Sequence, residues 1–398
     1  MTIAGGLFVS RIWQDLQKVT RAGCGKCNRH ASPLSIRSLP SSAGERKDRL
    51  FLGGWQFVRC AGQFVISLPC GQREYAMPLR AFLGDLSFRT ETVARVRERW
   101  AARQAIPLIY LKWSSDSGFA SLAGTIAETQ APDVFVARTG IPLELALLCE
   151  TLINAGVAFV DDKTAPYGFA MQCDDAVWAF GTEWLEAIAA GDDVSDVVRR
   201  FLPRFVRHIL SGDFSLADHV DAEVRAAAQQ ILAIWTRELK GEVISRQEWR
   251  AARANVLWAS EASVDPEGFL VADLVESLPW PLAGIAPEFP AICQKFLHAY
   301  LQSLSAAFLP EQDQADRIAW LVGARRLRHL RGEARFADAS DEAILDQVPE
   351  LKSAMLAFRQ PDAESRMGAA RHLARPLATR FLREQMDSLL ALLRERPG

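Results

Sequence analysis

From Leu50 onward, short apolar runs alternate with stretches of helical spacing. Leu50-Phe51-Leu52 leads to Gly53–Gly54, and Trp55–Cys60 and Gln63–Leu68 then read as two short strands around Ala61–Gly62. Helical spacing runs from Thr90 to Gln104. Pro107–Trp113 (PLIYLKW) reads as a strand, Gly118–Gln130 as a helix and Pro132–Arg138 (PDVFVAR) as a further strand. Pro142–Asn154 has helical spacing ended by Gly156 as a C′ glycine, and Val157–Val160 is a last strand closed by Asp161–Asp162. Apolar strands alternating with helices of this kind are the mark of βαβ units, whose ligands gather at the carboxyl ends of the strands. The expected fold class is therefore α/β, with a mostly parallel sheet and flanking helices in the N-terminal half.

After Asp174 the strand pattern stops, and a mainly α-helical C-terminal half is expected. Ala176–Ala190, Asp196–Leu210, Leu216–Lys240 and Arg246–Trp258 carry helical spacing. The stretch 263–290 is punctuated by Pro266, Pro279, Pro281, Pro287 and Pro290, and reads as a loop or boundary. Four more helices are expected over Ala291–Phe308, Glu311–Leu330, Asp341–Phe358 and Arg371–Arg394. The domain plan is a basic flexible leader over 1–49, an α/β core over 50–175 and a helical region over 176–398.

Composition narrows the function classes. The 398 residues are 49% hydrophobic and 24% charged, as in an ordinary globular protein. Lys+Arg 46 against Asp+Glu 48 gives a net charge of −2, so no global field draws the chain to nucleic acid or anionic lipid. The longest apolar stretch, Ile141 to Val160, is broken by Glu144, Glu150, Asn154 and Gly156, short of a membrane span. The first 49 residues hold nine Lys/Arg against three acids, with a Ser- and Pro-rich run from Ala31 to Gly44. Seven scattered cysteines fit a reducing compartment, so a cytoplasmic location is expected. Cys24 and Cys27 form a CxxC with no second half-site at zinc spacing.

Two motifs carry candidate chemistry. Lys112-Trp113-Ser114-Ser115 stands where a strand is expected to pass into a helix, and a lysine, two hydroxyls and helix-start N–H groups suit an anion. Ser114, Ser115 or Asp116 would equally serve as a helix cap. Arg138, at the end of the next expected strand, offers a planar fork suited to phosphate, or to a carboxylate partner.

Together, Leu111-Lys112-Trp113-Ser114-Ser115, Pro132–Arg138 and Pro142-Leu143-Glu144-Leu145 resemble the middle of bacterial sulfotransferase-like P-loop proteins. The resemblance covers about residues 107–154. It implies a sulfuryl transfer from PAPS to an acceptor, with Arg138 on the 3′-phosphate; Lys112, Ser114 and Ser115 would join it at a 3′-phosphate or phosphosulfate site. The family's phosphate loop, a strand running into a Ser-Gly-Thr helix start, has no counterpart upstream, and Ala146 or Leu148 stands where its serine is expected. A degenerate relative and a non-catalytic helical scaffold that binds a protein partner through its C-terminal helices are the alternatives left open.

The other clusters have bland readings beside sharp ones. Asp161-Asp162-Lys163 is a turn or a cation site. His208, Asp213, Asp218, His219 and Asp221 lack a familiar zinc spacing, and no GxGxxG, Walker lysine loop, HExxH or GxSxG occurs. Arg325, Arg326, Arg328, His329, Arg331 and Arg335 form the densest basic run, either a solvated helix end or a phosphate contact.

Overall fold

The computed structural model describes residues 49–52, 55–60, 63–67, 79–114, 120–165, 167–336, 339–357 and 361–395. Residues 1–48 of the expected basic leader (1–49), with its CxxC, lie outside them, as do Ser115 and Asp116. Contacts group the chain into two units: one of Met1–Glu74 with Pro310–Gly368, the other of Tyr75–Leu309 with Ala369–Gly398.

The larger unit is helical where the sequence predicted a sheet. Its helices are α1 (Leu86–Ala101), α2 (Leu122–Ala127), α3 (Pro132–Thr139), α4 (Leu143–Gly156), α5 (Asp175–Glu186), α6 (Val197–Ile209), α7 (Ala222–Leu239), α8 (Arg246–Ala262), α9 (Phe269–Ser277), α10 (Leu282–Ile285) and α11 (Phe289–Ser305). Its strands are short. β4 (Ala105–Ile106) pairs parallel with β5 (Ala120–Ser121), and β6 (Ala158–Asp161) pairs antiparallel with β7 (Phe169–Gln172). The mostly parallel sheet expected for the N-terminal half is therefore not present among the described residues; the helical C-terminal half is.

The reversal at Pro132–Arg138 has a local cause. Pro132 sits at the first turn, Asp133 follows it at the positive end of the helix dipole, Arg138 lies in the last turn, and Gly140 closes the helix at φ +63°. These start and stop signals outweigh the β-branched Val134 and Val136. The buried positions are Phe135 and Thr139, four apart, as on a helix face rather than a strand. The predicted strand Pro107–Trp113 fails differently. Pro107 lacks an N–H, and Ile109 stands at φ +63°, a left-handed conformation that is strained for a β-branched residue.

One continuous core joins residues 81–175 to the later helices, running from Phe82, Phe135 and Leu145 to Trp184, Phe205, Trp235, Phe289 and Leu389. The proline-rich stretch 263–290 belongs to it, because α9 and α10 bury Val271, Leu274, Leu278, Leu282 and Ile285. Phe205, Phe214, Phe296, Tyr300 and Phe381 pack ring against ring at centroid distances of 5.1–6.4 Å.

In the smaller unit, β1 (Arg49–Leu52), β2 (Trp55–Cys60) and β3 (Gln63–Ser67) form an antiparallel meander in the register Phe57↔Ile66 and Leu50↔Phe57. It also holds α12 (Glu311–Gly332), α13 (Asp341–Gln347) and α14 (Pro349–Ala357). The helix expected over Asp341–Phe358 is split, as Pro349 demands. Leu327, Leu330, Phe336, Ile344, Leu351 and Met355 make this unit's core. The last helix, α15 (Pro361–Arg394), starts in this unit and ends in the other. Among the described residues no helix is long and apolar enough to cross a membrane.

Candidate functional site

Two of the predicted site residues, Lys112 and Arg138, meet α2, but at opposite ends. Lys112 lies in an irregular segment beside the helix start. Its N–H donates to Ser121 Oγ at 3.0 Å, and its carbonyl accepts the Ser121 N–H at 2.9 Å. Burial pushes its ammonium below the usual lysine range. Ser114 is half-buried in the same segment. Arg138 is exposed on α3, and its guanidinium donates to the Ala127 carbonyl, the last residue of α2, at 3.0 Å. Six residues of helix, about 9 Å at 1.5 Å each, separate the two ends.

The positive end of α2 already holds an acidic side chain. Ser121 caps it through Gly124 N–H at 2.9 Å, and the Glu150 carboxylate, from α4, accepts Ala123 N–H at 2.5 Å and Ile109 N–H at 2.6 Å. Glu150 is fully buried. Desolvation pushes its pKa up to about 8, against the opposing pull of these amides and those of Leu108 and Leu122. The Ile109 bond accounts for the left-handed residue, since it turns that N–H inward. Gly124 allows the approach: a Cβ there would stand 2.1 Å from the Lys112 carbonyl oxygen.

The negative end of α2 is covered by arginines. Arg95 donates to the carbonyls of Thr125 at 3.4 Å and Ile126 at 3.0 Å, beside Arg138 on Ala127. Such use of orphan carbonyls recurs here: Arg89 takes those of Glu186 and Ile188 past α5, and Arg225 those of Leu210 and Ala217 past α6.

Between these arginines and α1 lies a groove of about 410 Å³. Its apolar lining is Leu83, Phe88, Ile126, Ala127 and Ala137, and its charged edge is Arg95, Glu128 and Arg138. Three non-glycine residues around it, Phe82 (φ 53°), Leu83 (φ 55°) and Glu128 (φ 50°), are left-handed. Strain of this kind collects where a chain serves a site. Leu83 is 60% exposed and the neighbouring Leu86 67%. Sequence reading missed Glu150, Arg95 and Leu83. The one signal was Glu150 itself, an acid interrupting the apolar run of α4.

The remaining predicted clusters are absorbed by the fold. Asp162 accepts from Thr164 N–H and Oγ1 in a turn. His208 meets Glu384 at 3.2 Å, His219 meets Asp265 at 2.8 Å, and Asp221 accepts from Ser263. Among the described residues no group of three His, Cys, Asp or Glu could hold a metal ion. In the basic run of α12, Arg325 is buried, Arg326 pairs with Glu350, and Arg331 with Asp341.

No family model matches the chain, and neither the curated proteins nor the solved structures compared with it give a match.

Proposed function

We propose that this chain is a non-catalytic helical partner-binding protein, and that the groove between α1, α2 and α3 takes a segment presenting an apolar side chain next to a carboxylate. The observation that carries this reading is the groove itself: an apolar lining that includes exposed Leu83, edged by Arg95, Glu128 and Arg138. The apolar lining supplies affinity by burial, and the arginine fork selects a carboxylate. Arg138 has spent one guanidinium nitrogen on Ala127, so a fork edge remains for a ligand.

The nucleotide reading needs Lys112 and Arg138 on the phosphate groups of one nucleotide, and the engagement of Arg138 by the Ala127 carbonyl and of the α2 start by Glu150 favours the partner reading over it. Selection from a random peptide library on the wild type and on Arg138→Glu tests the choice. Enrichment of acidic-apolar peptides that Arg138→Glu and Leu83→Asp both abolish supports the reading. Absence of enrichment, with Arg138-dependent calorimetric binding of adenosine 3′,5′-bisphosphate, overturns it in favour of a PAPS-type cofactor site.

A further inference from the structure

Within the described residues, the chain passes between the two units at Leu309–Pro310 and at Gly368–Ala369, and the two crossings are built differently. At the first, Leu309 (φ −91°, ψ 149°) and Pro310 (φ −54°, ψ 150°) are both extended. Pro310 has no N–H to continue a helix. The flanking turns close on their own bonds, Leu309 N–H to the Ala306 carbonyl and Gln314 N–H to the Pro310 carbonyl. Helical hydrogen bonding does not run through this crossing, so little resists a change of direction there.

At the second crossing α15 runs on as a helix. On one side of it, Arg366 bonds to Asp313 of α12 at 2.5 and 2.8 Å. On the other, the helix enters the core of the larger unit with Ala374, Ala378, Phe381 and Leu382. One helix is thus anchored in both units, and Gly368 lies between the anchorages. Packing does not call for a glycine there: its backbone is helical, and a Cβ would meet no atom within 4 Å. Gly323 of α12 differs, since its Cβ would press on Leu351 at 3.1 Å and Met355 at 3.3 Å. A glycine inside a helix weakens it through its conformational freedom, and bends gather at such residues. About two turns later Pro376 lacks the N–H that would bond to the His372 carbonyl, which thins the same stretch further.

We propose that α15 bends at Gly368 and that, with Leu309–Pro310 as a second pivot, the smaller unit turns as a body on the larger one. Hinges of this kind absorb a domain motion in a few element-terminal or small residues. The device is independent of the α1–α2–α3 groove and stands or falls separately.

Pulsed electron spin resonance on the frozen full chain tests it. Spin labels carried by unnatural amino acids at Val322 on α12 and Val243 after α7, both exposed, leave the native cysteines untouched. A pair at Val243 and exposed Val264, within the larger unit, gives the reference width. The wild type is expected to show a broader distance distribution between the units than this reference. Gly368→Ala narrows it, with the bent population falling about two- to fivefold, the effect of alanine for glycine in a helix. Gly332→Ala, at another open glycine away from the crossing, leaves it unchanged. Hydrogen exchange of residues 369–372 slows by the same factor in Gly368→Ala, while Leu382 and Leu389 keep their rates. A wild-type distribution no broader than the reference overturns the proposal. So does a broad one that Gly368→Ala leaves unaltered, or that Gly332→Ala narrows equally.

Discussion

Glu150 and Ala123 meet carboxylate oxygen to amide nitrogen at 2.5 Å, at the first turn of a six-residue helix. The second oxygen of the same carboxylate holds Ile109 N–H at 2.6 Å, so one buried side chain ties α4 to α2 and to the irregular segment before it. An internal acid thus occupies the helix end that the sequence offered to phosphate. The relationship also explains how a β-branched residue is kept left-handed: the strain at Ile109 is offset by a hydrogen bond from its N–H to a buried carboxyl oxygen.

Glu150→Gln replaces one acceptor by an NH₂ group and leaves one buried backbone N–H unpaired. A loss of about 1–3 kcal/mol is expected. Glu150→Ala abandons both N–H groups and opens a void, and should cost more. Urea unfolding of the two variants against wild type, with comparable m-values, checks the order.

The same carboxyl makes stability depend on pH. Its folded pKa of about 8 stands above the usual value near 4.3 in an unfolded chain, so between these values the folded state binds the extra proton. Stability therefore falls as pH rises from about 5 through 8 and levels off beyond. The gap between wild type and Glu150→Gln narrows over the same range. Midpoints of urea unfolding across that range test it; a gap that widens with pH would reverse the sign assigned to Glu150.

Gly124→Ala places a methyl group 2.1 Å from the Lys112 carbonyl oxygen, a backbone atom that cannot swing aside. The segment over 107–114 must lift from α2, and overpacking of this kind costs about 1–3 kcal/mol or more. Hydrogen exchange should accelerate at Ile109 and Ser121 while the α7–α8 pair stays protected.

In the smaller unit, Arg366 grips Asp313 through two bonds, at 2.5 and 2.8 Å, and holds its carboxyl below the usual range. A lowered folded pKa gives stability that is present above the unfolded value near 3.9 and lost as pH falls through the folded one. Arg366 is half exposed, so the effect is modest and weakened by salt. Arg366→Met should remove the acid-dependent part of this unit's unfolding, read by circular dichroism in acid titration.

Much of the helical half was legible because amphipathic spacing survives translation into packing: Arg246, Glu311 and Asp196 each stand within a residue of a helix start. The strands Trp55–Cys60 and Gln63–Ser67 also stand where alternation put them. Short apolar runs were misread because a buried helix such as PDVFVART and a buried strand share a composition, and only the caps separate them. Pro132 and Gly140 were in plain view as those caps. Arg138 was legible as an arginine needing oxygen atoms; that these are carbonyls of α2 depends on tertiary placement, which no local pattern encodes. Glu150 was hidden for the same reason, since its partners are backbone amides about 27 and 41 residues distant.

Arg95 and Arg138 should differ in what they hold. Arg95 is mostly covered and bonds to two carbonyls of α2 with a side-chain exposure of 29%, whereas exposed Arg138 bonds to one. Removing a cation from a helix C-terminus costs about 0.3–1 kcal/mol at an exposed site and up to about 2 when partly buried. Arg138→Ala is therefore expected near the lower figure and Arg95→Ala near the upper. Because both cover the same helix end, the double variant should lose more than the sum, as the last carbonyls of α2 are then left to water in an apolar groove. A double-mutant cycle in urea measures this coupling. Strict additivity would mean that the two arginines hold the helix end independently of one another.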